Sequence, residues 1–231
     1  MKHLFCVVIT LILSVNSYTQ DITAEQWQTE ARTNIRLLPK YGNVEKTAAQ
    51  KQADENFILE TMQQEQFNGN RTKASNYMIS LGFKYLNNDD IKTAMYRFNQ
   101  AYILDTSNTD IYWGYGAVFM TLGLKNMAVE QYKEGLKLNP SNLNLLTDYA
   151  TYFLGEYYEN HKIEDADRAL KYLLKSYNLE KKNMDTLFKL SVVYFIKDDC
   201  KNARKYYNEC KVLGGSPISD NFTKALNEKC N

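Results

Sequence analysis

Histidine, proline and glycine are scarce: the 231 residues include 2 His, 3 Pro and 10 Gly, against 18 Tyr. So few breakers beside so much tyrosine suit an all-helical packing with large aromatic plugs. Beyond His3, the chain has only His161. A lone His with no Cys or second His at ligand spacing makes no metal site. A Gly-rich phosphate loop and a Gly-x-Ser-x-Gly elbow are also missing. Asp89-Asp90 and Asp198-Asp199 look like carboxylate pairs, but both sit where helices should begin, so capping explains them. No enzyme is expected, and no catalytic residue, cofactor, metal or small-molecule substrate. Charge of either sign is not in excess, with a formal net charge of +1. That argues against nucleic acid or an anionic membrane surface as the main partner.

Long apolar runs are absent except at the start. Met1-Lys2-His3 precedes an apolar stretch from Leu4 to Val15, then Asn16-Ser17-Tyr18-Thr19. A charged start, about a dozen apolar residues and small residues at the end describe a secretory signal peptide. Ser17 and Thr19 fit the cleavage sites, which places the cut before Gln20. A retained anchor is the alternative, but the run falls short of the roughly 20 residues that span a bilayer. Cys6 has no small-residue lipobox before it. Export to the periplasm or cell envelope is therefore expected, with no transmembrane segment after cleavage. Removing Lys2 with this leader balances acidic and basic residues.

The rest of the chain repeats itself. Leu81-Gly82-x-x-Tyr85, Ala94, Phe98 and Ala101 recur as Tyr115-Gly116-x-x-Phe119, Ala128, Tyr132 and Gly135, with Pro140 closing. The period is about 34 residues, the mark of a stacked helical hairpin. Leu187, Leu190, Ser191, Tyr194, Ala203, Tyr207 and Cys210 repeat the pattern. A weaker copy holds Leu146, Tyr149, Ala150, Phe153, Ala169, Leu173 and Ser176. It is longer by about seven residues, close to two helical turns. Lengthening each helix by one turn keeps both apolar faces in phase, so a protruding hairpin is expected, with Asn160-His161-Lys162 at its tip. Small residues let the helices approach and large ones fill the space between hairpins. A lone hairpin cannot bury its apolar face, so the units must stack.

These residues resemble the tetratricopeptide repeat family over about 140 positions, specifically in the first, second and fourth copies. The expected fold is all-α: a tetratricopeptide-type helical-hairpin solenoid with an N-terminal helical extension and a C-terminal capping helix. Its divisions are a signal peptide (1–19), the extension (20–74), four repeats (75–108, 109–142, 143–183 and 184–217) and the cap (218–231). In the extension, Trp27, Ala31, Ile35 and Leu38 share one stripe, which predicts a helix over 22–38. Thr47-x-x-Gln50 is a capping-box pattern. The Tyr-Thr-Gln ending of the leader resembles exported proteins of the Bacteroidota.

The resemblance also implies a concave groove lined by the first helix of each repeat. Its residues here would be Ile79, Phe83 and Leu86, then Asp110, Trp113, Ala117 and Met120, then Asp185, Phe188, Val192 and Phe195. Relatives that grip a terminal carboxylate use Lys, Arg and Asn at places held here by Ile79, Phe83, Gly114, Asn144 and Asp148. With no basic cluster there, carboxylate-tail binding is disfavoured. An aromatic groove is a contact site for a protein or peptide, unless residues 22–66 fold back into it. The expected function is an exported, non-enzymatic binding module for a peptide or helix of an envelope protein. The alternative is a structural subunit of an envelope complex with its groove filled by its own N-terminal helices.

Cys200, Cys210 and Cys230 survive removal of the leader. Cys200 and Cys210 are ten residues apart on one helix, about 15 Å, too far for a disulfide. An antiparallel terminal helix would bring Cys230 to Cys200, so this pair is the expected bridge, with Cys210 a packed thiol. Three reduced thiols are the alternative.

Overall fold

A computed structural model describes residues 22–230. The leader and its cleavage site lie outside the described residues. Among those described are eleven α-helices and no strand. The helices are α1 (Ala24–Ala31), α2 (Ala48–Met62), α3 (Arg71–Leu86), α4 (Ile91–Leu104), α5 (Asp110–Thr121) and α6 (Lys125–Leu138). They continue with α7 (Leu143–Asn160), α8 (Ile163–Leu179), α9 (Met184–Ile196), α10 (Cys200–Val212) and α11 (Asp220–Lys229). Helices α3 to α10 form four antiparallel hairpins stacked in chain order. None of the described helices is long and apolar enough to cross a membrane.

Local chemistry sets most helix starts. Asn70, Asp90, Asn142, Asn183, Asp199 and Ser219 each accept a backbone N–H from the first turn of the following helix. Each supplies an acceptor for an otherwise orphaned donor. Thr23 and Thr47 form reciprocal capping boxes with Gln26 and Gln50. Helix α3 starts at Arg71, so the expected boundary at 74/75 falls inside it.

Small and large residues then interlock. A Cβ on Gly82 would lie 2.4 Å from the Phe98 ring, and one on Gly114 would lie 2.3 Å from it. The two bare backbones form a slot for that ring, which is fully buried. This also explains Gly114: it is a packing residue of the second hairpin. The third hairpin is the long one, with α7 and α8 of 18 and 17 residues. Its tip is Asn160–Lys162, where His161 takes a left-handed conformation at φ 56° and closes α7. Lys125 of α6 braces this end through Glu156 at 3.1 Å and through Glu159.

The extension departs from expectation. The predicted helix over 22–38 ends at Ala31. Asn34 is extended and caps a short 3₁₀ turn, Ile35–Leu37, so Leu37 is buried while Leu38 is only partly so. A second turn follows, in which Lys40, Tyr41, Gly42 and Asn43 all have positive φ. Non-glycine residues there cost roughly 1–2 kcal/mol each, so tertiary contacts must hold them. Lys40 donates its N–H to the Tyr115 hydroxyl at 3.1 Å and pairs its ammonium with Glu134. Tyr115 in turn donates to Asn99 Oδ1 at 2.7 Å. The Asn99 amide donates to the carbonyls of Arg36 and Leu38 at 2.9 and 3.0 Å. Residues 34–40 thus form a strap along α4.

At the other end, α11 packs on α9 and α10. Phe222 meets Phe188, Phe195 and Tyr207. Cys200 and Cys230 form a disulfide with a Cα–Cα distance of 5.2 Å, and Cys210 is a buried free thiol.

Candidate functional site

The first helices of the hairpins, α3, α5, α7 and α9, lie side by side and form one face. The Phe83 and Trp113 rings meet there with centroids 4.0 Å apart and planes tilted by 39°. Phe83 is backed by Phe98 at 5.2 Å, so the pair stands on the core. Trp113 donates its indole N–H to Asp148 Oδ2 of the next repeat at 2.7 Å. Both Trp113 and Asp148 are half-buried.

Burial pushes the Asp148 carboxyl above its ordinary value, and the Asp185 charge adds to this. The Lys189 ammonium and the Trp113 hydrogen bond oppose the rise. Lys189 is itself paired with Asp185 one turn away. At the edge, Asp110 accepts from the side-chain amides of Asn142 at 2.7 Å and Asn144 at 3.3 Å. The site is therefore an aromatic pair flanked by carboxylates, with the Lys189 ammonium shared between Asp148 and Asp185.

The structure divides the expected lining residues. Phe83, Trp113, Ala117, Met120 and Asp110 remain partly accessible on α3 and α5. Ile79 and Leu86 are buried, at 6% and 9% exposure, and serve the core. In the fourth repeat, Val192 is buried at 9% exposure. There Phe188 and Phe195 are met edge-on by Phe222 of α11, at 5.4 and 5.6 Å. The cap thus occupies the place that a further repeat would leave as groove. Phe188 and Phe195 stay partly accessible beside it, and Asp185 is exposed next to Lys189. Sequence reasoning did not include Asp148 and Lys189 among the lining residues. The signals were present: a half-exposed Trp needs an acceptor, and Lys189 follows Asp185 by four on one helix.

Residues 22–67 lie elsewhere. Glu30, Asn34 and Arg36 meet Lys92 and Tyr96 of α4, and Trp27 packs edge-on to the buried Phe119 at 6.5 Å. Phe67 packs on Tyr77 of α3 at 5.4 Å, and among the described residues no ring contact or hydrogen bond joins the extension to Phe83 or Trp113.

A tetratricopeptide repeat profile matches residues 109–142, the second hairpin. Among solved structures, PilF of Pseudomonas aeruginosa aligns with a TM-score of 0.52 at 23% identity, covering 62% of this chain and 63% of that one. The alignment thus spans less than two thirds of the length of that protein. YrrB, described as a tetratricopeptide protein with an unusual peptide-binding site, gives a TM-score of 0.46 at 15% identity, over 88% of this chain and 97% of that one. MamA gives 0.48 at 13% identity, over 75% and 98%. No curated protein matches the chain. At these identities the likeness concerns the fold. The chain contains a tetratricopeptide repeat and is built as a solenoid of that type.

Proposed function

We propose that this protein is an exported, non-enzymatic interaction module whose groove receives a peptide or helix of a cell-envelope partner. The observation that carries this is Trp113, a partly accessible indole fixed by a 2.7 Å hydrogen bond and by contact with the tilted Phe83 ring. A pre-positioned aromatic anchor loses little side-chain freedom on binding, which favours affinity. The surrounding carboxylates suit an apolar segment that brings N–H donors or a basic side chain. The leader pattern and the Cys200–Cys230 bridge support an oxidising compartment.

Trp113→Ala tests this. The variant should lose capture of an envelope partner in a pull-down. Its stability should fall by only about 1 kcal/mol, since the side chain is half exposed. Equal capture by both proteins would reject the groove as the contact.

A further inference from the structure

A second recess, about 390 Å³, opens on the opposite side between α6 and α8. Tyr149, Phe153 and Tyr172 give it an aromatic floor, and Lys133, Arg168 and Lys171 stand around it.

The corresponding cleft one repeat earlier is filled by the chain itself. Tyr115 and Phe119 hold on α5 the places that Tyr149 and Phe153 hold on α7. Trp27 plugs that cleft against Phe119 and is 1% exposed. Its helix, α1, reads AEQWQTEA and carries no basic residue. Glu30 of this helix pairs with Lys92 on the cleft wall at 2.9 Å. The fold therefore closes such a cleft with an acidic, Trp-bearing segment.

In the unfilled cleft the floor is again aromatic and the rim is more positive. Lys133 stands where α4 has Asn99. Lys133 and Lys171 are exposed and, among the described residues, form no ion pair. Arg168 is tied to Asp165 at 3.1 Å, and the neighbouring Glu156 is tied to Lys125. The two unpaired cations thus stand at a cleft whose Tyr149 and Phe153 hold the repeat positions of Tyr115 and Phe119 in the Trp27 cleft.

We propose that this cleft is a second docking site, for a partner-protein segment bearing an aromatic side chain flanked by carboxylates. The aromatic group lies against the half-buried Tyr152 and Tyr172, above the buried Phe153 and Tyr149. The carboxylates meet Lys133 and Lys171. A second copy of the chain is a weaker candidate, because its own Trp27 is buried in cis.

The probe is a labelled, end-capped peptide copying residues 22–31, titrated into the full chain by fluorescence anisotropy. Saturable binding is expected. Lys133→Glu with Lys171→Glu should weaken it at least about tenfold, with circular dichroism checking the fold. A peptide with both glutamates changed to lysine should bind as poorly. Trp113→Ala should leave the affinity within about twofold, which separates this site from the groove. No binding by about 1 mM peptide, or equal binding to the double variant or to the lysine peptide, would overturn the proposal. Loss with Trp113→Ala would move the peptide to the groove and overturn it too. Sedimentation gives the last check: a wild-type dimer abolished by the double variant would assign the cleft to a second copy instead.

Discussion

The solenoid ends are closed by opposite means. At the first repeat, a strap of irregular backbone wraps α4, held by the Asn99–Tyr115–Lys40 hydrogen bonds and plugged by Trp27. At the last, a regular helix caps the stack, packed through Phe222 and fastened by a disulfide. The first closure depends on backbone and side-chain contacts alone, whereas the second adds a covalent bond to its aromatic packing. Both satisfy the same need, since a terminal repeat has an apolar face with no neighbour. They differ in what they cover. The strap closes the outer side and leaves the Phe83–Trp113 pair accessible, whereas α11 takes over the groove residues of repeat four.

The sharpest way to break the comparison is at Trp27. Trp27→Ala should cost roughly 3–5 kcal/mol, as for a buried Trp that leaves a cavity. The strap should loosen with it, read as faster amide exchange at Lys40, whose N–H donates to Tyr115. Chemical denaturation with hydrogen exchange measures both. A loss below about 1 kcal/mol would mean that the extension is an accessory and not a closure.

The other end should respond to reductant, and by less. The bridge closes a loop with a sequence separation of 30. Chain-entropy arguments give about 3.6 kcal/mol for such a loop. Cys200→Ser should lower the melting temperature while α1 to α9 keep their helical signal, because Phe222 still packs on Phe188 and Phe195. In the variant, amides of α11 should exchange faster and those of the strap should not. Equal loosening of both ends would show one cooperative unit instead of two closures.

The difference between the ends also marks what the sequence could reveal. Repeats were legible because their determinants are local and periodic. Gly82 and Phe98 recur as Gly116 and Tyr132, and caps such as Asp90 and Asp199 sit at the turns. The cap helix was legible for the same reason: Ser219 starts it, and its length sets Cys230 opposite Cys200. The strap was not. Trp27, Ala31, Ile35 and Leu38 do share a helical stripe, yet the backbone leaves the helix at Asn34 because Asn99 and Tyr115 offer partners that no local pattern announces. Four successive positive-φ residues are unreadable in a stretch with one glycine. Part of the groove misled for a related reason. Position counting placed Ile79, Leu86 and Val192 on an open face, but packing between the hairpins buries them.

The smallest expected effect concerns the groove, and its sign is fixed by Asp148. Burial holds this carboxyl above its ordinary value of 3.8 in the folded protein. The folded state therefore takes up this proton at higher pH than the unfolded chain does. By linkage, the Asp148 contribution to stability rises as pH falls through the folded pKa, and the gain is complete below 3.8. Most carboxylates act oppositely, so total stability still falls in acid. The Asp148 share is isolated by comparing wild type with Asp148→Asn, which keeps an oxygen to accept the Trp113 N–H but cannot ionise. At neutral pH the variant should be at least as stable as wild type. The difference should shrink as the pH is lowered toward 3.8. Melting temperatures of the two proteins across that window make the measurement. A variant that loses stability at neutral pH, with the gap closing in acid, would mean that the ionised carboxylate is held favourably by Lys189 and Trp113. The groove would then be an ion-paired surface, with Trp113 serving structure rather than a partner.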